Sequence, residues 1–192
     1  MRLIISALIL YFLGACTLLP SKDLAPPVLP GIGSGLMLWV EPEREVEAVQ
    51  LLTGHGAGKN FTFQVRISVT KERMLLVAVN PFGQRVMTIA WDDKGISSEH
   101  SEFLRLAIIP EQIIFNILLA YWPKERLRVL LNDSLDVFDD KEGVRRVTLD
   151  GEDVVIVEYA SDRKSAWSEK LNFKHILYDY QLAILSHEVS RE

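Results

Sequence analysis

The sequence predicts a mainly β fold with a helical insert: a curved antiparallel sheet wrapped around one buried helix. Three observations carry this expectation. Apolar and polar residues alternate strictly from Phe61 to Thr70, the period of a strand with one dry face and one wet face, and such strands belong mostly to antiparallel sheets. The stretch 110–122 is apolar almost all round, a composition that suits a buried helix and not a surface one. Strand-like runs then resume and continue to the end of the chain.

The elements follow in order. Arg2 precedes an apolar run from Leu3 to Leu13. The run is shorter than the roughly 20 residues a membrane-crossing helix needs and has the length of a secretory h-region. It ends in Leu13-Gly14-Ala15-Cys16, which looks like a lipobox. Small residues let a peptidase approach the backbone, and the thiol at the next position accepts diacylglycerol. Residues 1–15 are therefore expected to be a lipoprotein signal peptide, with Cys16 lipidated. Cys16 is the only cysteine, so lipidation also accounts for a spare exported thiol that no disulfide uses. One acyl chain anchors weakly, at about 0.8 kcal/mol per buried methylene, and bacterial lipoproteins resemble one another in carrying two or three. Thr17, which is not aspartate, favours the periplasmic face of the outer membrane by resemblance to enterobacterial sorting.

Residues 16–45 read as a tether, because Pro20, Pro26, Pro27, Pro30, Gly31, Gly33 and Gly35 punctuate the chain too densely to build an element. The alternative is a segment draped on the domain, with packing starting at Leu36–Val40. The folded domain is expected at 46–192. Strands are read at Val46–Leu52, Phe61–Val69, Met74–Val79, Arg85–Trp91 and Ile96–Glu99, with Gly54-His55-Gly56-Ala57-Gly58 as the first turn. The helical insert covers about 104–131. Pro110 suits a first helical position, Glu111 the positive end of the helix dipole, and Pro123 stops or kinks the helix. Lys124–Leu131 reads as a second, amphipathic helix. Further strands follow at Leu135–Phe138, Val144–Leu149, Val154–Tyr159, Lys170–Tyr178 and Gln181–Glu188, with turn residues at Asp140–Gly143 and Asp150–Asp153.

Composition narrows the function. The formal net charge is −5 and there is no basic tail or patch, so nucleic acid is not an expected partner. Gly54-His55-Gly56-Ala57-Gly58-Lys59 resembles a phosphate loop, but Thr53 stands where glycine is needed and Asn60 where Ser or Thr is needed. No Gly-x-Ser-x-Gly or His-Glu-x-x-His motif occurs. The four histidines are scattered and no metal or cofactor site is expected; His175 and His187 are read as a half-exposed pair across the final hairpin. Asp92-Asp93 and Asp139-Asp140 are read as solvated turn carboxylates, and Trp91, Trp122 and Trp167 as core or rim residues. An enzyme is the least favoured class, for want of a nucleophile with a base.

Met74-Leu75-Leu76-Val77-Ala78-Val79-Asn80-Pro81-Phe82-Gly83 is similar to the segment that carries the Asn-Pro-Leu-Gly loop of LolB, the outer-membrane lipoprotein that receives lipoproteins from the periplasmic carrier LolA. The order of lipobox, tether, strands, loop, strands, apolar helical insert with a Pro break, and strands also matches. The insert, with Tyr121-Trp122-Pro123, resembles still more a shorter LolB-like lipoprotein family whose members occur beside aryl-polyene and fatty-acid-like biosynthetic genes. The layout covers most of the chain after the leader, while only the loop matches residue by residue.

The resemblance implies a half-open antiparallel β-barrel, LolA/LolB-like, enclosing or lidded by helices, with an apolar cavity for acyl chains of lipids or lipoproteins. It implies no catalytic chemistry and no cofactor. Its partners would be the membrane, through acylated Cys16, and a LolA-like periplasmic carrier. Cavity-lining candidates are Phe61, Phe63, Val65, Ile67, Ile89, Trp91, Ile114, Leu118 and Trp122. In LolB the loop leucine projects into solvent and helps deliver lipid. The matching Phe82, between Pro81 and Gly83, is the candidate for membrane insertion, unless it folds back to cap the sheet edge. The competing expectation is a structural or interaction lipoprotein with a filled core.

Overall fold

A computed structural model describes residues 39–56, 58–101, 109–131, 133–161, 164 and 166–189. The expected signal peptide, Cys16, most of the tether and the first residues of the helical insert lie outside the described residues.

Ten strands form one antiparallel sheet. They are β1 (Val46–Gly56), β2 (Lys59–Val69), β3 (Arg73–Val79), β4 (Arg85–Asp92), β5 (Gly95–His100), β6 (Leu135–Asp139), β7 (Val144–Leu149), β8 (Glu152–Tyr159), β9 (Lys170–His175) and β10 (Tyr180–Glu188). Two helices, α1 (Pro110–Tyr121) and α2 (Lys124–Leu127), connect β5 to β6. The sheet order is β5-β4-β3-β2-β1-β10-β9-β8-β7-β6. Each half is a meander of hairpins, and the first and last strands pair at the centre, with Ala48 opposite Glu188 and Gly56 opposite Tyr180. Strands β5 and β6 are left as edges, so the sheet is not closed.

The sheet must curve. Helix α1 packs beside β5, yet the carbonyls of Leu119 in its last turn and of Trp122 just after it accept hydrogen bonds from Arg145 on β7. Eight strand spacings separate β5 from β7, about 38 Å in a flat sheet, far more than a helix about 10–12 Å across can bridge. The result is a trough with α1 lying in it. Ile114, Phe115, Leu118 and Leu119 have no exposed surface, and each contributes roughly 1.5–3 kcal/mol by leaving water. Pro110 starts the helix. Trp122, the residue before Pro123, is already extended at φ −78° and ψ 147°, as a pre-proline residue must be.

Four sequence expectations need correction. Trp39 and Val40 belong to the folded body and not to the tether: Val40 is in the core, and the Trp39 ring packs edge-on against Trp91 at 4.8 Å while its Nε1 donates to the Lys71 carbonyl. Strand β1 continues through Gly54 and Gly56, which were expected in a turn. A Cβ on Gly54 would overlap the Phe61 ring and come within 2.8 Å of Leu182, and one on Gly56 would come within 2.8 Å of Tyr180. These glycines leave room for large neighbours inside the trough. The second helix is a single turn, since only Lys124–Leu127 is helical. Strand β9 stops at His175, and the tight turn after it uses Asp179 at φ 48°.

Candidate functional site

The strand register sorts the connections into two ends. At one end, which we call the Phe82 end, lie the β1–β2, β3–β4, β7–β8 and β9–β10 turns. At the other, the Trp39 end, lie residues 39–45 and the β2–β3, β4–β5, β6–β7 and β8–β9 connections. Helix α1 runs from the first to the second: Asn116 Nδ2 donates to Tyr180 Oη at 2.5 Å near the Phe82 end, and Tyr121 stacks on Trp167 at 3.8 Å near the Trp39 end.

The Trp39 end is clamped. Arg145 on β7 is fully buried. Its Nη1 donates to the carbonyls of Leu119 and Trp122, both at 2.7 Å, and its Nε and Nη2 donate to the two oxygens of Asp139 at 2.6 and 2.9 Å. Tyr159 Oη donates to the Ala120 carbonyl at 2.6 Å. The open carbonyls at the end of α1 are thus met by donors from the sheet, and the cation sits at the negative end of the helix dipole. Asp139, expected as a solvated turn carboxylate, is part of this clamp. Deeper in the trough, Gln50 Nε2 on β1 donates to Tyr121 Oη at 2.7 Å and to Ser186 Oγ on β10 at 3.0 Å. Burial pushes the Tyr121 phenol well above its ordinary range, against these hydrogen bonds.

The Phe82 end is different. The β3–β4 loop is braced by Asn80, whose Oδ1 accepts from the backbone N–H of Phe82 and of Gln84, both at 3.0 Å. Asn80 N donates to the Gln84 carbonyl, and Gly83 N donates to the Asn80 carbonyl, each at 2.9 Å. Gly83 sits at φ 76°, where a side chain would be strained. Held this way, Phe82 is 89% exposed. It projects from the loop and does not fold back on the sheet edge. Pro81 and Gly83 are exposed beside it. In the adjoining mouth of the trough, Phe61 and Phe63 are half-buried and 5.8 Å apart, with Leu182 and Tyr180 half-buried across β1.

His175, on β9, is buried in this end. It stands opposite Tyr180 and Val155, not His187, which pairs with Val49 on the outer face. The imidazole stacks on Tyr178 at 4.4 Å. Among the described residues neither ring nitrogen has a hydrogen-bond partner, and nor does Tyr178 Oη. Burial without a compensating carboxylate lowers the His175 pKa to about 4, so the ring is neutral.

The interior candidates are distributed unevenly. Val65, Ile67, Ile89, Trp91, Ile114, Leu118 and Trp122 are buried, and Ile89, Trp91, Ile114 and Leu118 have essentially no exposed surface or adjoining water-sized void. Only Phe61 and Phe63 reach the mouth. A surface depression of about 550 Å³ lies between α2 and β6, lined by Lys124, Arg128, Asp133 and Asp136 among others. Another of about 340 Å³ lies at the Trp39 end, beside Arg44, Trp122, Lys164 and Trp167. The second reaches Tyr121, the last residue of α1, and Val46 and Val69 on β1 and β2, but neither is lined by residues from the middle of the helix. Among the described residues no cluster of His, Asp or Glu is placed to hold a metal ion, and no described helix is long and apolar enough to cross a membrane.

A family model described as "Protein of unknown function (DUF3261)" matches residues 47–188. The chain belongs to the DUF3261 family. None of the curated proteins matches it. The DUF3261 region runs from the start of β1 to the last residue of β10, so it takes in the whole sheet, α1 and the Phe82 loop. It leaves out Trp39 and Arg44, which fasten the incoming chain.

Sequence reasoning reached Phe82 through its loop, but missed Arg145 and His175 as interior groups. A signal existed for both. Arg145 shares a strand phase with Val147 and Leu149, and His175 with Leu171 and Phe173, so each polar residue interrupts an apolar face.

Proposed function

We propose that this DUF3261 protein is a non-catalytic outer-membrane lipoprotein, anchored through acylated Cys16, that handles acyl chains of lipids or lipoproteins at the Phe82 end. In this reading the trough is a LolB-like half-open barrel lidded by α1, and a LolA-like periplasmic carrier is the donor. One observation carries it: a braced loop holds an aromatic side chain in solvent at the same end where the trough interior is apolar and half-exposed. An acyl chain needs apolar area more than polar contacts, at roughly 25 cal/mol per Å², and Phe61, Phe63 and Leu182 offer such area next to Phe82. Deeper entry requires α1 to shift, because the central positions are filled.

The packed centre and the Arg145 clamp favour a second reading, an interaction lipoprotein whose core simply stabilises it. Native mass spectrometry separates the two. The chain from residue 16 with Cys16→Ser is expected to retain lipid on extraction and to pass it to acceptor vesicles, and Phe82→Glu to reduce the transfer at least tenfold with the fold unchanged. Absence of bound lipid together with wild-type behaviour of Phe82→Glu would establish the filled-core reading.

A further inference from the structure

The β9–β10 turn presents a second apolar tip. Ile176 and Leu177 are 40% and 48% exposed. Their orientation is fixed from both sides: Ile176 N donates to the Val154 carbonyl at 2.8 Å, and Tyr178 turns inward to stack on His175, leaving its two predecessors outside. The register puts this turn at the Phe82 end. From β3 to β10 is three strand spacings, so the two tips stand roughly 15–25 Å apart along the sheet. Phe61 and Phe63 on β2 lie between them and Leu182 stands on β10 itself, so the tips bracket the mouth.

The incoming chain enters at the opposite end. Trp39 is fixed to Lys71 and Trp91, about one strand length from Phe82. An eleven-residue strand such as β1 spans about 36 Å. The 22 residues 17–38 reach at most about 75 Å. A body anchored at Cys16 can therefore turn its Phe82 end back to the bilayer that holds the anchor. The charges flanking the two tips are mixed, with Lys59, Arg85 and Lys174 against Asp150, Glu152 and Asp179, and the chain is acidic as a whole. Electrostatic attraction to anionic lipid does not drive such a contact, whereas apolar insertion does.

We propose that Ile176 and Leu177 form, with Phe82, a two-point contact with the bilayer interface that seats the mouth of the trough on lipid. This rests on the reading that the Phe82 end engages lipid. The test uses the chain from residue 16 with Cys16→Ser and vesicles of phosphatidylethanolamine and phosphatidylglycerol. F82E and the double variant I176E/L177E are each expected to weaken co-sedimentation about tenfold, the loss of one or two buried apolar side chains, with little change between low and high salt. An environment-sensitive dye on Leu177→Cys should shift to the blue on adding vesicles, and the same dye on Lys94→Cys, at the other end, should not. The dye decides the matter if the double variant fails to fold. An unshifted Leu177 dye and wild-type binding by the double variant, beside a loss in F82E, would overturn the two-point contact and leave the proposed function standing. Failure of the parent chain to bind vesicles would overturn both. Self-association abolished by the tip variants, with no effect of vesicles, would assign the tips to a second copy of the chain and overturn the proposal.

Discussion

The two ends of the trough are built from similar residues and treated in opposite ways. At the Trp39 end aromatic side chains interlock, Trp39 on Trp91 and Tyr121 on Trp167, and the carbonyls that close α1 are met by Arg145 and Tyr159. At the Phe82 end the aromatics Phe61, Phe63, Tyr178 and Tyr180 are only half-buried, and both His175 ring nitrogens and Tyr178 Oη lack a hydrogen-bond partner among the described residues, against Trp122 Nε1 at the Trp39 end. One end is a fixed seat for the helix. The other carries local conflicts of the kind that persist where a surface has something to bind. If α1 moves, it swings on its C-terminal seat and opens at its N-terminal end.

The clamp is the place to break the contrast most severely. Arg145→Ala leaves two helix carbonyls and the Asp139 carboxylate without their cation, and an expected loss of about 3 kcal/mol follows, read as a lower midpoint in urea unfolding. An unchanged midpoint would mean that the helix seat is held by apolar packing alone.

The Phe82 end should respond to acid instead. His175 has its pKa lowered to about 4 in the fold against about 6.5 in the unfolded chain, so the unfolded state binds more protons between those values. Stability is then complete above about pH 6.5 and falls as pH drops toward 4, by up to about 3 kcal/mol. His175→Phe should flatten that part of the pH profile, and hydrogen exchange in β9 and β10 should report the change before β3 and β4. A profile identical to that of the parent would dissociate His175 from the weakness of this end.

The smallest effect is expected where the chain enters. Arg44 and Glu188 form a bidentate pair, with one contact at 2.7 Å, that lowers the Glu188 pKa through its hydrogen bond to Arg44. The pair is largely exposed, and Arg44→Ala should cost less than about 1 kcal/mol. A larger cost in the unfolding midpoint would show that the entry segment is part of the seat.

Much of this was legible in the sequence, and the limits are physical. Strand positions followed from alternation, and α1 from its apolar run, because each element has a single period set by its backbone. The β1–β2 turn was read too early because Gly54 and Gly56 punctuate most chains, whereas here they yield space to Phe61 and Tyr180, a tertiary reason that local chemistry does not carry. The exposure of Phe82 was an open alternative in the sequence, and it depends on the hydrogen bonds made by Asn80 and Gly83. Arg145 and His175 stood on apolar faces in plain view. Their partners, or lack of them, lay on elements up to 26 residues away, where no pairwise pattern links them.

The pairing of β1 with β10 has a consequence for how the molecule comes into being. Each five-strand meander assembles from neighbours in sequence, but the seam joining them unites the two extremes of the domain, and Val49 finds its partner only at His187. Until the last strand has emerged, β1 presents an unpaired edge, open to pairing with any other chain. Contacts of such long sequence separation are also the slow ones to form. Closing this seam is expected to be the committed step of folding, and truncation inside β10 should yield aggregates and not a smaller trough.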